Sequence, residues 1–369
     1  MASFQKLLPI PAALNIIVLT MDAGNEIDDE IAAWIVMNKY PEGYMVYFCQ
    51  VPGASTELDV ISHRIQRMQE IFPTEFGTQD IWCPDPENMR SSKFVLCTFS
   101  DLLLTLKFHS FDSRSPFIVD WFIQIAPMWG FEPEDFSRFA IGTRVFMGDL
   151  ENPDNSINGT KAMPKNEYGD FLRNQFKRQQ DMLLTLSENT IPIPTSFARQ
   201  VPTPVKFINR LPPNMSSQLL QTAFNQFVGR VDPTLAWAEN ISIVNHATIL
   251  KMLPSSKLYD ILTTQSDMRV KILVNKFLEP IAIKPVEYTT RLEQIANAVE
   301  YITKVEYDES GSFNAKALKD PNVAFQNWLQ YITENDCNLT PFYDGLAIVA
   351  MMKGILPPVE ECLEIIKTI

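Results

Sequence analysis

The stretch Asp22-Ala23-Gly24-Asn25-Glu26-Ile27-Asp28-Asp29-Glu30 packs five acids into nine residues, and that crowding limits what the chain can fold into. An apolar run, Leu14 to Leu19, precedes it and reads as a buried parallel strand. Ile31-Ala32-Ala33-Trp34-Ile35-Val36-Met37 follows it and predicts a buried helix. The acids therefore fall on a strand-to-helix turn at the carboxyl end of a strand, where open α/β sheets bind ligands. Two unit charges about 4 Å apart repel by roughly 4 kcal/mol at an effective dielectric of about 20. Three converging acids would consume much of a domain's net stability of about 5–15 kcal/mol. A hard divalent cation removes that cost, and oxygen ligands on a tight turn suit calcium or magnesium. The plainer alternative has Asp28 and Asp29 capping the helix while Glu26 and Glu30 face water. It leaves Asp22 unexplained, and also Gly24 and Asn25, which suit a turn with positive φ.

The rest of the first third alternates strand and helix patterns, which predicts a doubly wound, mostly parallel α/β sheet. Tyr44 to Val51 reads as a second strand. Leu58 to Phe72 reads as a helix with Leu58, Ile61, Ile65, Met68 and Ile71 on one face. Lys93 to Leu106 and Phe117 to Ile125 add apolar segments, and Arg144 to Gly148 reads as a further strand. From about 150 to 222 the character changes. Asn152 to Gly159 is turn-rich, Phe171 to Leu186 is a polar helix, and Ile191 to Pro194 and Pro202 to Pro213 are proline-rich. This segment is expected to be an insertion, a lid or interaction arm, within a single domain spanning 1–369. The last third returns to α/β patterns, with a strand at Ile241 to Val244 and helices at Leu292 to Val305 and Asp344 to Met352.

The chain of 369 residues carries a net charge of −13, which disfavours phosphate backbones and anionic membranes as partners. It has no uninterrupted apolar window long enough for a transmembrane helix, and Met1 to Pro11 shows no signal-peptide pattern. Cys49, Cys83, Cys97, Cys337 and Cys362 form no Cys-x-x-Cys pair, against a zinc site and in favour of a reducing, cytoplasmic setting. Of three histidines, His63 reads as a surface residue and His109 has no metal-spaced partner. His246 stands near the ligand end of a predicted strand. Phosphate-loop, Gly-x-Gly-x-x-Gly and Gly-x-Ser-x-Gly motifs are absent.

The pattern Asp22-x-Gly24-Asn25-Glu26-x-Asp28-Asp29 resembles the amino-terminal signature of the nucleoside hydrolase superfamily. Tyr343-Asp344-Gly345-Leu346-Ala347 resembles that family's carboxy-terminal His-Asp-Pro-Leu-Ala motif. Ala126-Pro127-Met128-Trp129 resembles its Gly-Pro-Leu-Thr stretch, and Ala223-Phe224-Asn225 its Glu-Phe-Asn. The resemblance implies a calcium site, calcium ahead of magnesium, made by Asp22, Asp28, Asp29, Asp344 and the carbonyl of Trp129. It implies that Asp22 is also the base, and that Asp28 and Asn225 hold ribose hydroxyls. Tyr343 then stands where the family's leaving-base histidine stands. The implied reaction is hydrolysis of the N-glycosidic bond of a ribonucleoside. Ala54, Ala223 and Tyr343 depart from the pattern at substrate-facing positions. A second reading therefore stands beside the first. In it the chain is a catalytically impaired structural or interaction protein, a virion component for example, that assembles with itself or a partner.

Overall fold

The computed structural model describes residues 15–24, 26–39, 43–53, 59–77, 94–109, 117–128, 130–148, 167–198, 200–231, 321–334 and 336–369. The chain divides into two compact units, residues 1–203 with 340–369, and residues 204–339.

The first unit is built on six strands: β1 (Asn15–Met21), β2 (Tyr44–Gln50), β3 (Phe94–Thr98), β4 (Phe117–Gln124), β5 (Phe139–Met147) and β6 (Ser187–Ile193). They form one sheet in the order β3-β2-β1-β4-β5-β6, and every neighbouring pair is parallel. The apolar runs read from the sequence fall on β1, β2 and β4, and their burial on both faces explains why they are continuous rather than alternating. The helices of this unit are α1 (Asp28–Lys39), α2 (Val60–Ile71), α3 (Pro73–Phe76), α4 (Phe99–His109), α5 (Glu167–Leu186) and α6 (Thr195–Ala198). Helices α7 (Val205–Ile208), α8 (Pro213–Val231) and α9 (Pro321–Glu334) belong to the second unit. The chain then returns to the first with α10 (Tyr343–Lys353) and α11 (Val359–Thr368).

This strand order reverses direction between β1 and β4. The crevice outside the carboxyl ends of those two strands is the topological switch point, where doubly wound sheets take their ligands. Thr20 and Gln124 face each other in register there, and Ile125 N–H donates to the Thr20 carbonyl at 3.2 Å.

One face of the sheet is closed by an aromatic core. Phe99 sits edge-on to Phe122 and Phe131 and stacks with Phe136 and Phe139. Such pairs add about 0.5–1.5 kcal/mol each beyond their buried area. Helix α10 packs on α1 and is apolar all round, Leu346 to Met351 being buried. In the second unit, Phe224 of α8 packs against Phe325 and Trp328 of α9, with ring centres 5.4 and 5.3 Å apart.

The sheet runs into the segment expected to be an insertion. Helix α5 and strand β6 lie inside 150–222, and β6 pairs with β5 from Ser187 to Ile193. That stretch is the sixth strand of the sheet rather than an arm outside it. Pro192 disguised it, yet β6 is an edge strand, where a residue without an N–H is tolerated. The strand expected at Ile241 to Val244 and the helix at Leu292 to Val305 lie outside the described residues.

Candidate metal centre

The turn after β1 is built to hold acids close together. Strand β1 ends at Met21, whose carbonyl accepts from Val51 N–H at 2.9 Å. The chain then reverses through Gly24, at φ 99°. Asp22 N–H donates to Asp29 Oδ1 at 2.9 Å, which ties the start of the turn to the first turn of α1. Asp28, Asp29 and Glu30 open that helix, where its exposed N–H groups favour negative charge.

A second helix brings the remaining acid. Helix α10 starts at Tyr343, and Phe342 N–H donates to the Val201 carbonyl at 2.7 Å. A Cβ at position 345 would lie 2.3 Å from Phe342 Cε1, so glycine lets the ring close over the first turn and fix Asp344 beside it.

Asp28, Asp29 and Asp344 meet at these two helix starts. One carboxylate oxygen from each lies within 4.8 Å of the other two. The three residues are only 5 %, 3 % and 5 % exposed. Burial raises each carboxyl well above its ordinary pKa, and repulsion from the neighbouring acids raises it further. Asp28 Oδ1 is buried and has no hydrogen-bond partner. Opposite ligands of one calcium ion stand about 4.6–5.2 Å apart, so the three oxygens are close enough to share a single shell. An orphaned carboxylate oxygen, like charges on every side and oxygen-only donors are the properties of a hard-cation site.

Asp22 stands beside these three acids. It is not one of the three converging acids. Its charge acts on all three, while its own carboxylate lies 3.4 Å from Nη2 of Arg64. Arg64 is 2 % exposed and ties down the whole corner. Its Nη1 donates to the carbonyls of Asp22 and Ala23, and its Nη2 donates to the Pro52 carbonyl at 3.0 Å. Gly53, at φ 59°, completes the enclosure, because a Cβ there would stand 1.8 Å from Asp22 Oδ2. Glu30 does not face water either. It is fully buried and meets Arg67 Nε at 3.1 Å.

Arg64 is the residue that the sequence reading passed over. The apolar face of α2 is Val60, Ile65, Met68 and Ile71, with Arg64 among them. A cation three residues after Ile61 and four before Met68 was the available signal. His63, by contrast, is exposed as expected and stands 3.7 Å from the equally exposed Asp59.

Tyr343 is half-buried beside Asp344. Trp129, Ala54 and His246 lie outside the described residues. Asn225 falls within α8 of the second unit, its side chain outside the described residues, and Ala223 is buried in the same helix. Comparison of the chain with family models, with curated proteins and with solved structures gives no match. The likeness to nucleoside hydrolases therefore stands on the quoted motifs alone.

Proposed function

We propose that this chain holds a hard divalent cation, calcium first, on Asp28, Asp29 and Asp344, and hydrolyses the N-glycosidic bond of a ribonucleoside. The observation that carries the reading is the convergence of Asp344 with Asp28 and Asp29 at the switch point of a parallel sheet. Two sequence motifs from opposite ends of the chain supply those acids.

When bound, the cation supplies charge neutralisation and Lewis acidity toward water. Asp28 and Asp29 hold it from one helix start and Asp344 from the other. Asp22 is the proton acceptor in this scheme, fixed at the rim by Arg64 and by the backbone at Gly53. Tyr343, at the position of the family's leaving-base histidine, would donate a hydrogen bond to a leaving base in this scheme. Its unperturbed pKa near 10 makes it a hydrogen-bond donor rather than a proton donor at neutral pH.

One observation favours the second reading, a cation-stabilised protein without turnover. Asp22 is engaged by Arg64, which leaves its carboxylate less free to take a proton from a water. The test is release of free ribose from a panel of ribonucleosides with calcium present. The first reading expects release that Asp22→Asn abolishes. Calcium binding without release from any nucleoside would leave the second reading standing.

A further inference from the structure

Arg144 of β5 is completely enclosed, and no acid pairs with it among the described residues. Its Nη2 donates to Gln124 Oε1 at 2.6 Å and to Gln180 Oε1. The guanidinium lies over the Phe146 ring, 4.6 Å from its centre. These partners are all neutral. Burial pulls its pKa down only to about 9, so it remains a cation at neutral pH.

Three buried donors at this point have no partner: Arg144 Nε, Arg144 Nη1 and Gln180 Nε2. Gln180 Nε2 belongs to the very carboxamide that accepts from Arg144. Buried charges are ordinarily paired, because an ion taken out of water without a counter-charge costs several kcal/mol. A water would occupy the N–H groups and leave the charge uncompensated. An oxyanion on one edge of the guanidinium takes up a free donor and also neutralises the charge, and arginine is the side chain best matched to carboxylate and phosphate oxygens.

The place in the fold agrees. Gln124 is the last residue of β4 and pairs in register with Thr20, two residues before Asp22. Arg144 stands three residues before the end of β5, and Gln180 covers it from α5. The group lies toward the carboxyl end of the sheet, next to the strand pair where the order reverses.

We propose that Arg144, Gln124 and Gln180 frame a binding site for an oxyanion, a carboxylate or a phosphate group. The site stands on its own chemistry and not on the proposed hydrolysis, so either can fail without the other.

The test is thermal denaturation of the full chain in calcium-free buffer after overnight incubation, since an enclosed site exchanges slowly. One arm adds inorganic phosphate and a second adds acetate, each against sodium chloride of equal ionic strength. The expected result is a concentration-dependent rise in Tm with phosphate, acetate or both, and the stronger arm identifies the oxyanion. Gln180→Glu should raise Tm without added ion, because it places a carboxylate on the guanidinium. It should also weaken the oxyanion by about tenfold or more, equivalent to about 1.4 kcal/mol. Arg144→Met should remove the effect of both ions. A wild-type Tm that neither ion raises above the chloride control would overturn the proposal. An equal rise in wild type and Gln180→Glu would overturn it too, since that is general salting-out. So would a Gln180→Glu protein less stable than wild type, for then the site does not lack a negative charge.

Discussion

Five of the acids around the first strand-to-helix turn fall into two groups. Asp22 and Glu30 each meet an arginine from α2, Arg64 and Arg67. Among the described residues no cation pairs with Asp28, Asp29 or Asp344, and neighbouring acids repel them. Both groups sit within one corner of the fold, and several of their members are almost fully enclosed. The difference separates two uses of buried charge. Where the counter-charge is built in, the pair fastens the turn. Where it is missing, the fold carries a repulsion that a ligand can relieve. The same logic reads Arg144 from the opposite sign: its neighbours Gln124 and Gln180 supply acceptors but no charge.

Removing the built-in charge should have the largest effect. Arg64→Ala leaves Asp22 without its cation and leaves three backbone carbonyls without their donor. Breaking one partner of a buried pair costs about 3–5 kcal/mol. Urea unfolding should show a loss of that size with or without calcium. A loss that calcium restored fully would mean that Arg64 belongs functionally with the cluster, and the division drawn above would fail. Gly53→Ala should follow at about 1–3 kcal/mol, because the residue needs positive φ and its Cβ would strike the Asp22 carboxylate.

The unpaired group should respond in the opposite sense. With calcium chelated, Asp344→Asn removes one of three repelling charges and should raise stability at neutral pH. In calcium the order should invert. A cation present at about 100 times its dissociation constant stabilises the wild type by about 2.7 kcal/mol, and the variant should forgo most of that. The measurement is the shift in the urea midpoint between chelator and calcium for both proteins. Stability lost by Asp344→Asn in chelator would show that the acids are held by contacts other than a cation.

The pH dependence carries the same sign. The three carboxyls have folded-state pKa values raised above their unfolded value of about 4, so the folded protein binds more protons than the unfolded chain. Stability then falls as pH rises. In chelator, the contribution of the cluster should be complete below about pH 4 and lost as pH climbs through the raised values. Saturating calcium should flatten that decline, because the cation takes the place of the protons. Calorimetry from pH 4 to 7 should show more protons released on binding at the acid end than at the neutral end. A chelated protein whose stability rises from pH 4 to 7 would contradict the raised values.

How much of this could be read in the chain depended on whether the signal was local. Strand β1, the acidic turn and α1 are contiguous, and their burial, period and turn residues all point one way. Asp344 is remote, yet its surroundings repeat the same arrangement of an acid opening an apolar helix, so the residue type and context were legible. Arg64 was not, because a charge on a surface helix ordinarily faces solvent. Only the carbonyls of Asp22, Ala23 and Pro52, which no local pattern reveals, turn it inward. Strand β6 was hidden by Pro192, and Gln180 by its place in a polar helix whose inward face mixes Phe176 and Leu183 with the buried Gln175, Gln179 and Gln180. Pattern reading assigns apolar residues to cores. It fails where a buried face is built from carboxamides.

The smallest effect lies one residue from the largest. His63 of α2 and Asp59 just before it form a third acid–base contact, 3.7 Å apart, but both side chains are more than 60 % exposed. Water and salt screen such a pair, and surface substitutions of this kind usually change stability by less than about 0.5 kcal/mol. His63→Ala should therefore leave the urea midpoint nearly unchanged and leave calcium binding untouched. Set beside Arg64→Ala, it contrasts an exposed pair with a buried cation that also holds three backbone carbonyls. A His63 variant as damaging as the Arg64 variant would mean that α2 acts through its integrity as a helix. Arg64 would then lose its standing as the fastener of the turn.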